Sequence, residues 1–272
     1  MVPIFDNLWK YRELLAVLTW KTIALRYKQS YLGVVWAILK PIVLVLVFML
    51  VRSFVGIDSG GVPYPLLVYC ALIPWNFFQE SVADGVVSVV NNANLVRKIY
   101  FPREIFPLVA VVTKLVEMCI GFLILAALMA WYGYGLQATL AWVPLLVLVC
   151  ILSSLTISLV GAAINVYVRD IGQVVPLALS VVMYASPVIY PLALVQKKLL
   201  EDQAAGAWSD ALYTLYTLNP MVGVIDGFQR TILTGTAPGW SAMAPGLAFV
   251  AIGLPISYTL FKQAEAYFAD VV

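Results

Sequence analysis

At 272 residues the chain is 63% hydrophobic and 11% charged, with a mean hydropathy of +0.96, outside the range of soluble globular domains. The composition points to an all-α polytopic membrane protein built as a single transmembrane domain over residues 1–272. A net charge of +2, spread along the chain rather than gathered on one face, implies no nucleic acid partner.

Residues 1–30 carry Lys10, Arg12, Lys21, Arg26 and Lys28, and their longest apolar run, Leu14 to Leu18, is too short for a span or a signal-peptide core. This segment is expected to stay cytoplasmic and uncleaved. As a helix it aligns Trp9, Trp20 and Tyr27 beside a parallel line of Lys10, Lys21 and Lys28. Such an amphipathic helix either lies in the membrane interface or packs on the protein's own cytoplasmic face.

Leu32 to about Val55 is the first predicted span, running outward. Lys40 lies within it and either faces the protein interior or snorkels to the near interface. The second span, Pro65 to about Val90, contains Trp75, Phe78, Glu80 and Asp84, the two acids one helical turn apart. They form either a proton relay or a structural pair hydrogen-bonded to neighbouring spans.

The polar interruption NNANLVRKIYFPREIFP, Asn91 to Pro107, follows. Leu95 to Tyr100 read as a short helix, Pro102 and Pro107 punctuate the rest, and Arg97, Lys98 and Arg103 place the loop in the cytoplasm. It either transmits a push from a soluble partner to both flanking spans or merely fixes topology.

The third span runs from Glu104 to about Tyr132, with Lys114 and Glu117 adjacent on one face and neutralising each other. Trp131, Tyr132 and Tyr134 mark an outer aromatic belt. The fourth span, about Leu140 to Tyr167, carries Ser153, Ser154, Thr156, Ser158 and Gly161, small residues that allow close helix packing in lipid. Arg169 and Asp170 make an inner turn before the fifth span, near Ile171 to Ile189.

Residues 191–237 are too apolar for a solvated loop and too broken for a span, which predicts a re-entrant pair of short helices on the outer side. Pro238 to Phe261 is the sixth span. The inner segments hold Lys10, Arg12, Lys21, Arg26, Lys28, Arg97, Lys98, Arg103, Arg169 and Lys262, the outer ones only Arg52, Lys197, Lys198 and Arg230. That bias predicts both termini in the cytoplasm.

Histidine is absent, which removes the commonest general base and metal ligand. Cys70, Cys119 and Cys150 lack metal or disulfide spacing and read as packing residues. No phosphate loop is present, so nucleotide-driven work needs another polypeptide.

Five stretches carry a resemblance: RYKQSYLGVVWAILKP (Arg26 to Pro41), LVRKIYFPREIFP (Leu95 to Pro107), NVYVRD (Asn165 to Asp170), SPVIYP (Ser186 to Pro191) and LNPMVGVIDGFQRTIL (Leu218 to Leu233). In this order they resemble the membrane subunit of ABC exporters for bacterial surface polysaccharides, of the O-antigen, teichoic-acid and capsule type. The resemblance implies a homodimeric permease in the bacterial cytoplasmic membrane, with two copies of a separate ATPase that binds ATP and Mg. This chain itself holds no cofactor or metal. A lipid-linked polysaccharide is the implied substrate.

Under that resemblance Leu95, Arg97, Ile99, Tyr100, Phe101, Arg103 and Glu104, in a coupling loop at 91–103, touch the ATPase. Trp75, Phe78, Tyr184, Tyr190, Tyr213 and Tyr216 are the aromatics expected along the glycan channel. Arg26, Lys28 and Arg97 are the cations expected at the entrance for a lipid-linked pyrophosphate. The outer re-entrant region would act as a gate, and Lys40 departs from the pattern, which has an uncharged polar residue more often.

Two other classes compete. An integral-membrane enzyme acting on polyprenyl-linked glycans would need an acid or base constellation, for which only Glu104 beside Arg103 and Asp170 beside Arg169 are available. An ion-coupled secondary transporter would use Glu80, Asp84 and Glu117 as coupling sites.

Overall fold

The computed structural model describes residues 10–28, 35–56, 59–98, 100–201 and 208–268, all helices and connecting turns without a strand among them. Trp9, the expected span start at Leu32 and the expected contact residue Ile99 fall outside the described residues. Eleven α-helices carry the fold. They are α1 (Arg12–Lys28), α2 (Val35–Val55), α3 (Tyr64–Asn91), α4 (Ala93–Lys98), α5 (Ile105–Trp131), α6 (Val143–Tyr167), α7 (Ile171–Tyr184), α8 (Leu192–Gln196), α9 (Trp208–Thr217), α10 (Pro220–Gln229) and α11 (Trp240–Glu265).

Among the described residues three segments are long and apolar enough to cross a membrane: Ile105–Trp131, Ala138–Tyr167 and Trp240–Glu265. The last two of these include α6, preceded by the 3-10 turn Ala138–Trp142, and α11. At 21 and 28 residues, α2 and α3 also have the roughly 30 Å reach of a bilayer core. The fifth apolar stretch is shorter than expected, because α7 stops at Tyr184 and Ser186-Pro187 turn the chain.

The core forms around α3, whose buried residues run from Tyr64 to Val89 and which packs against α6, α5, α10, α7 and α2. Close approach and dispersion drive that packing in lipid, together with ion pairs from Glu80 and Asp84 to Lys114 of α5. A Cβ on Gly85 would collide with the Ser158 side chain, and one on Gly161 with Val86. The expected small-residue face of α6 is therefore the contact face, with Ser153, Ser154, Thr156 and Ser158 all buried. Two of these hydroxyls are absorbed locally: Ser154 Oγ donates to the Cys150 carbonyl at 2.8 Å and Thr156 Oγ1 to that of Leu152 at 2.7 Å.

The segment after α7 holds three short α-helices rather than the expected pair, since Asn219-Pro220 separates α9 from α10. Asn219 caps α10 by accepting from the Met221 amide at 3.0 Å, and its Nδ2 donates to Ser186 Oγ at 2.8 Å. Every residue of α10 is buried, and Gly223 lets it press against the Ala242 carbonyl of α11. Gly235, in the left-handed region at φ 66°, ends the π-turn Arg230–Thr234 that continues α10.

Cys70 and Cys150 are core residues as expected, whereas Cys119 is exposed on α5. Its neighbour Met118 takes the inward position.

The close crossings give a direct test. Overpacking costs about 1–3 kcal/mol. Gly85→Leu and Gly223→Leu are expected to lower the melting temperature of the detergent-purified chain by several degrees. Gly135→Ala, with open space around its Cα, is expected to leave it unchanged.

Candidate functional site

Two arrangements stand out, a braced turn at the α4 end of the bundle and an ionic network with a cavity between α2, α3 and α5. The turn begins where α3 stops: Asn92 Nδ2 donates to the Ser88 carbonyl at 2.8 Å and closes the last turn. Val96 is the buried keel of α4, Leu95 is half-buried, and Arg97 and Lys98 are exposed.

Tyr100 is 93% exposed, whereas its neighbour Phe101 is buried edge-to-face on Phe106, with centroids 5.3 Å apart. Arg103 and Glu104, expected to face a partner, are turned to α11 instead. The Arg103 backbone amide donates to Glu265 Oε1, and its guanidinium to the Glu265 carbonyl, both at 2.8 Å. Glu104 is buried and accepts from Lys262 Nζ at 2.6 Å. Lys262 also bridges to Glu265 at 2.7 Å, so the turn and the end of α11 move as one piece.

The helix α1 packs beside this platform through Tyr11, Leu14, Leu15 and Leu18, and exposes Val17, Trp20 and Lys21 on its other side. One face of α1 thus packs on the protein itself, and the other is left exposed. At its far end Arg26 reaches between two helices, donating to Asp84 Oδ2 and Glu117 Oε1, both at 2.6 Å. Burial lowers the pKa of this guanidinium, but the Asp84 and Glu117 carboxylates outweigh that and leave it raised.

Lys114 lies at the centre of the network, buried and paired with Glu80, with Asp84 at 3.3 Å and with Glu117 at 3.7 Å. Lys40 joins from α2, 3.4 Å from Glu80, with its side chain 62% exposed. Three cations face three carboxylates, so the cluster is neutral in sum. Lys114 and Glu117 do more than neutralise each other: they join α5 to α3 and to α1.

Beside the network a cavity of about 370 Å³ opens between α2, α3 and α5, charged where Lys40, Glu80, Lys114 and Glu117 line it and apolar along Leu44, Phe77 and Gly121.

The six expected channel aromatics divide. Trp75 and Phe78 are buried and paired at 5.8 Å, and Trp75 Nε1 donates to Gln79 Oε1 at 2.9 Å, so both are core residues of this chain. Tyr184 is exposed, and Tyr190 donates to its carbonyl at 3.0 Å. Tyr213 accepts from Gln196 at 2.8 Å, and with Tyr216 it packs on Leu192, Val222 and Ala242. Of the expected entrance cations, Lys28 and Arg97 are exposed. Arg26 is committed to its two carboxylates.

Sequence reasoning missed Asn219 and Asn165, whose Oδ1 accepts from the Gly172 amide at 2.9 Å and holds the α6–α7 turn. An asparagine directly before a proline was the available signal for the first.

Residues 13–233 match the family described as ABC-2 type transporter. The chain belongs to that family. An ABC-2 membrane protein is a transporter subunit and not an enzyme, which removes the glycan-modifying alternative. Among curated proteins the chain is 27% identical to the O-antigen export system permease protein RfbA of Myxococcus xanthus, over 100% of both chains. It is 24% identical to the protein of the same name from Klebsiella pneumoniae, over 98% of this chain and 97% of the relative. The polysialic acid transport protein KpsM of Escherichia coli is 22% identical over 90% and 91%.

Stripping one partner from a buried ionic cluster costs about 3–5 kcal/mol, because the remaining charges stay desolvated. Lys114→Met is therefore expected to lower the permease's melting temperature sharply, and Glu80→Gln added to it to restore part of the loss. Lys40→Gln, at the exposed edge, is expected to change it little.

Proposed function

We propose that this chain is the permease subunit of an ATP-driven exporter that carries a lipid-linked, O-antigen-like polysaccharide across the bacterial cytoplasmic membrane. The observation that carries this reading is the end-to-end similarity to an O-antigen export permease, covering 100% of both chains. In this reading six segments cross the bilayer with both termini in the cytoplasm: α2, α3, α5, α6, α11, and α7 together with the turn through Ser186 and Pro187 that follows it. Two copies pair, and two copies of a separate ATPase bind beneath them, supplying ATP and Mg.

The geometry supports a division of labour in the coupling loop. Tyr100, with Leu95 and Arg97 beside it, is the contact offered to the ATPase. Phe101, Arg103 and Glu104 brace the turn from behind, so that a push on Tyr100 reaches α3, α5 and α11 together. Tyr184, Tyr190, Tyr213 and Tyr216 form the aromatic surface at the outer gate, where ring faces can stack on passing sugars, and Trp75 and Phe78 stiffen the span behind them. Lys28 and Arg97 are the exposed cations assigned in this reading to the entrance for a pyrophosphate.

The ion-coupled alternative needs a carboxylate that exchanges protons with solvent. Glu80, Asp84 and Glu117 are each tied to a cation, which supports a structural role for them.

Reconstitution tests this. Transport in vesicles is expected to require the partner ATPase and ATP, and to be insensitive to an uncoupler; hydrolysis by the permease alone, or collapse with the proton gradient, would overturn the proposal. An apolar anchor at an interface centre contributes about 2 kcal/mol or more. Tyr100→Ala is therefore expected to cut co-purification with the ATPase about thirtyfold or more. Lys98→Ala should change it only slightly, and Phe101→Ala should act through lower stability of the permease itself.

A further inference from the structure

The cavity between α2, α3 and α5 is lined by one residue whose polar group has no partner among the described residues and by one cation that is only loosely held. Tyr69 lines it and is only 1% exposed, yet its hydroxyl is buried without a hydrogen-bond partner among the described residues. A buried hydroxyl left unpaired is unfavourable, so an acceptor arriving with a ligand would relieve it. At the charged end, Lys40 has only a long, largely exposed contact of 3.4 Å to Glu80, while Glu80 also holds the buried Lys114. Lys40 can therefore leave Glu80 for another anion without stranding a charge.

The shape of the site sets the ligand. Tyr69, Asn76 and Glu80 all line the cavity from α3, at spacings of seven and four that share one face of the helix over about 16 Å. An occupant must offer an anion to Lys40, hydrogen-bond acceptors further along that face, and hydrocarbon for Leu44, Phe77 and Gly121. Free phosphate leaves the apolar wall empty. A polyprenyl phosphate has nothing but hydrocarbon beyond its head, and leaves Tyr69 unmet.

We propose that the cavity binds one glycerophospholipid of the surrounding membrane, its phosphate on Lys40, its ester carbonyls toward Asn76 and Tyr69, and an acyl chain along the apolar wall. A volume of about 370 Å³ is within the range of small-ligand sites. Arg26, Lys114 and Lys40 together balance the carboxylates of Asp84, Glu80 and Glu117, so the phosphate approaches a cluster of no net charge. The site requires only that the chain lies in a bilayer, and is independent of the cargo.

The experiment titrates the delipidated, detergent-purified full chain with dioleoyl phosphatidylglycerol and reads bound lipid by native mass spectrometry. One lipid per chain is expected. Lys40→Gln should weaken binding about tenfold, and Lys40→Arg should stay within about threefold of the parent. Tyr69→Phe should weaken it about fourfold while leaving the lipid-free melting temperature unchanged or higher. Dioleoylglycerol, which lacks the phosphate, should bind no better to the parent than phosphatidylglycerol binds to Lys40→Gln. Equal binding by the parent, Lys40→Gln and Tyr69→Phe would overturn the proposal. So would displacement of phosphatidylglycerol by an equal concentration of a polyprenyl phosphate, which would make the cavity a site for that carrier instead.

Discussion

One buried ammonium, on Lys114, sets the relation between the spans at the α1 side of the bundle. It faces Glu80, Asp84 and Glu117 at once, and two of these carboxylates also take the guanidinium of Arg26. Charges in hydrocarbon are tolerated only when matched, so the cluster dictates which faces of α3 and α5 meet and where the end of α1 must sit. The ionic pairing fixes the register.

The same logic recurs at the α4 end. Glu104, Lys262, Glu265 and Arg103 join a turn between two helices to the end of a third that is distant in sequence. Phe101 and Phe106 fill the space beneath. A surface residue such as Tyr100 is thus carried on a stiff base, and in a transporter subunit stiffness is what lets force arrive as displacement rather than dissipate in a loop.

Much of this was legible in the sequence because hydrophobic run length and proline placement are local signals. The boundaries of α3, α5 and α6 fall within a few residues of the expected spans, and the small residues of α6 do face their neighbour. What one residue's neighbours along the chain cannot reveal is which distant residue it meets. Phe101 read as an outward anchor because it lies in a polar loop, but its side chain completes the core under that loop. Arg26 read as an entrance cation because it is basic and near the membrane, yet residues 58 and 91 positions away had already claimed it. Trp75 and Phe78 read as channel aromatics, but the centrality of α3, which only the assembled bundle defines, puts them in the interior.

The attachment of α2 has its own mechanical meaning. Among its described side chains only Val45 and Phe48 are buried, while Trp36, Ile42, Leu46, Leu50 and Phe54 face outward. Its lower part is tethered by Lys40 to Glu80, and its upper end by Arg52, which lies 4.8 Å over the Tyr64 ring and donates to Ser59 Oγ at 3.1 Å. Between those tethers Pro41 already removes one rung of the helical ladder. Such a helix is pinned at three points, apolar in its middle through Val45 and Phe48 and polar near each end, and leaves most of its length to whatever surrounds the bundle.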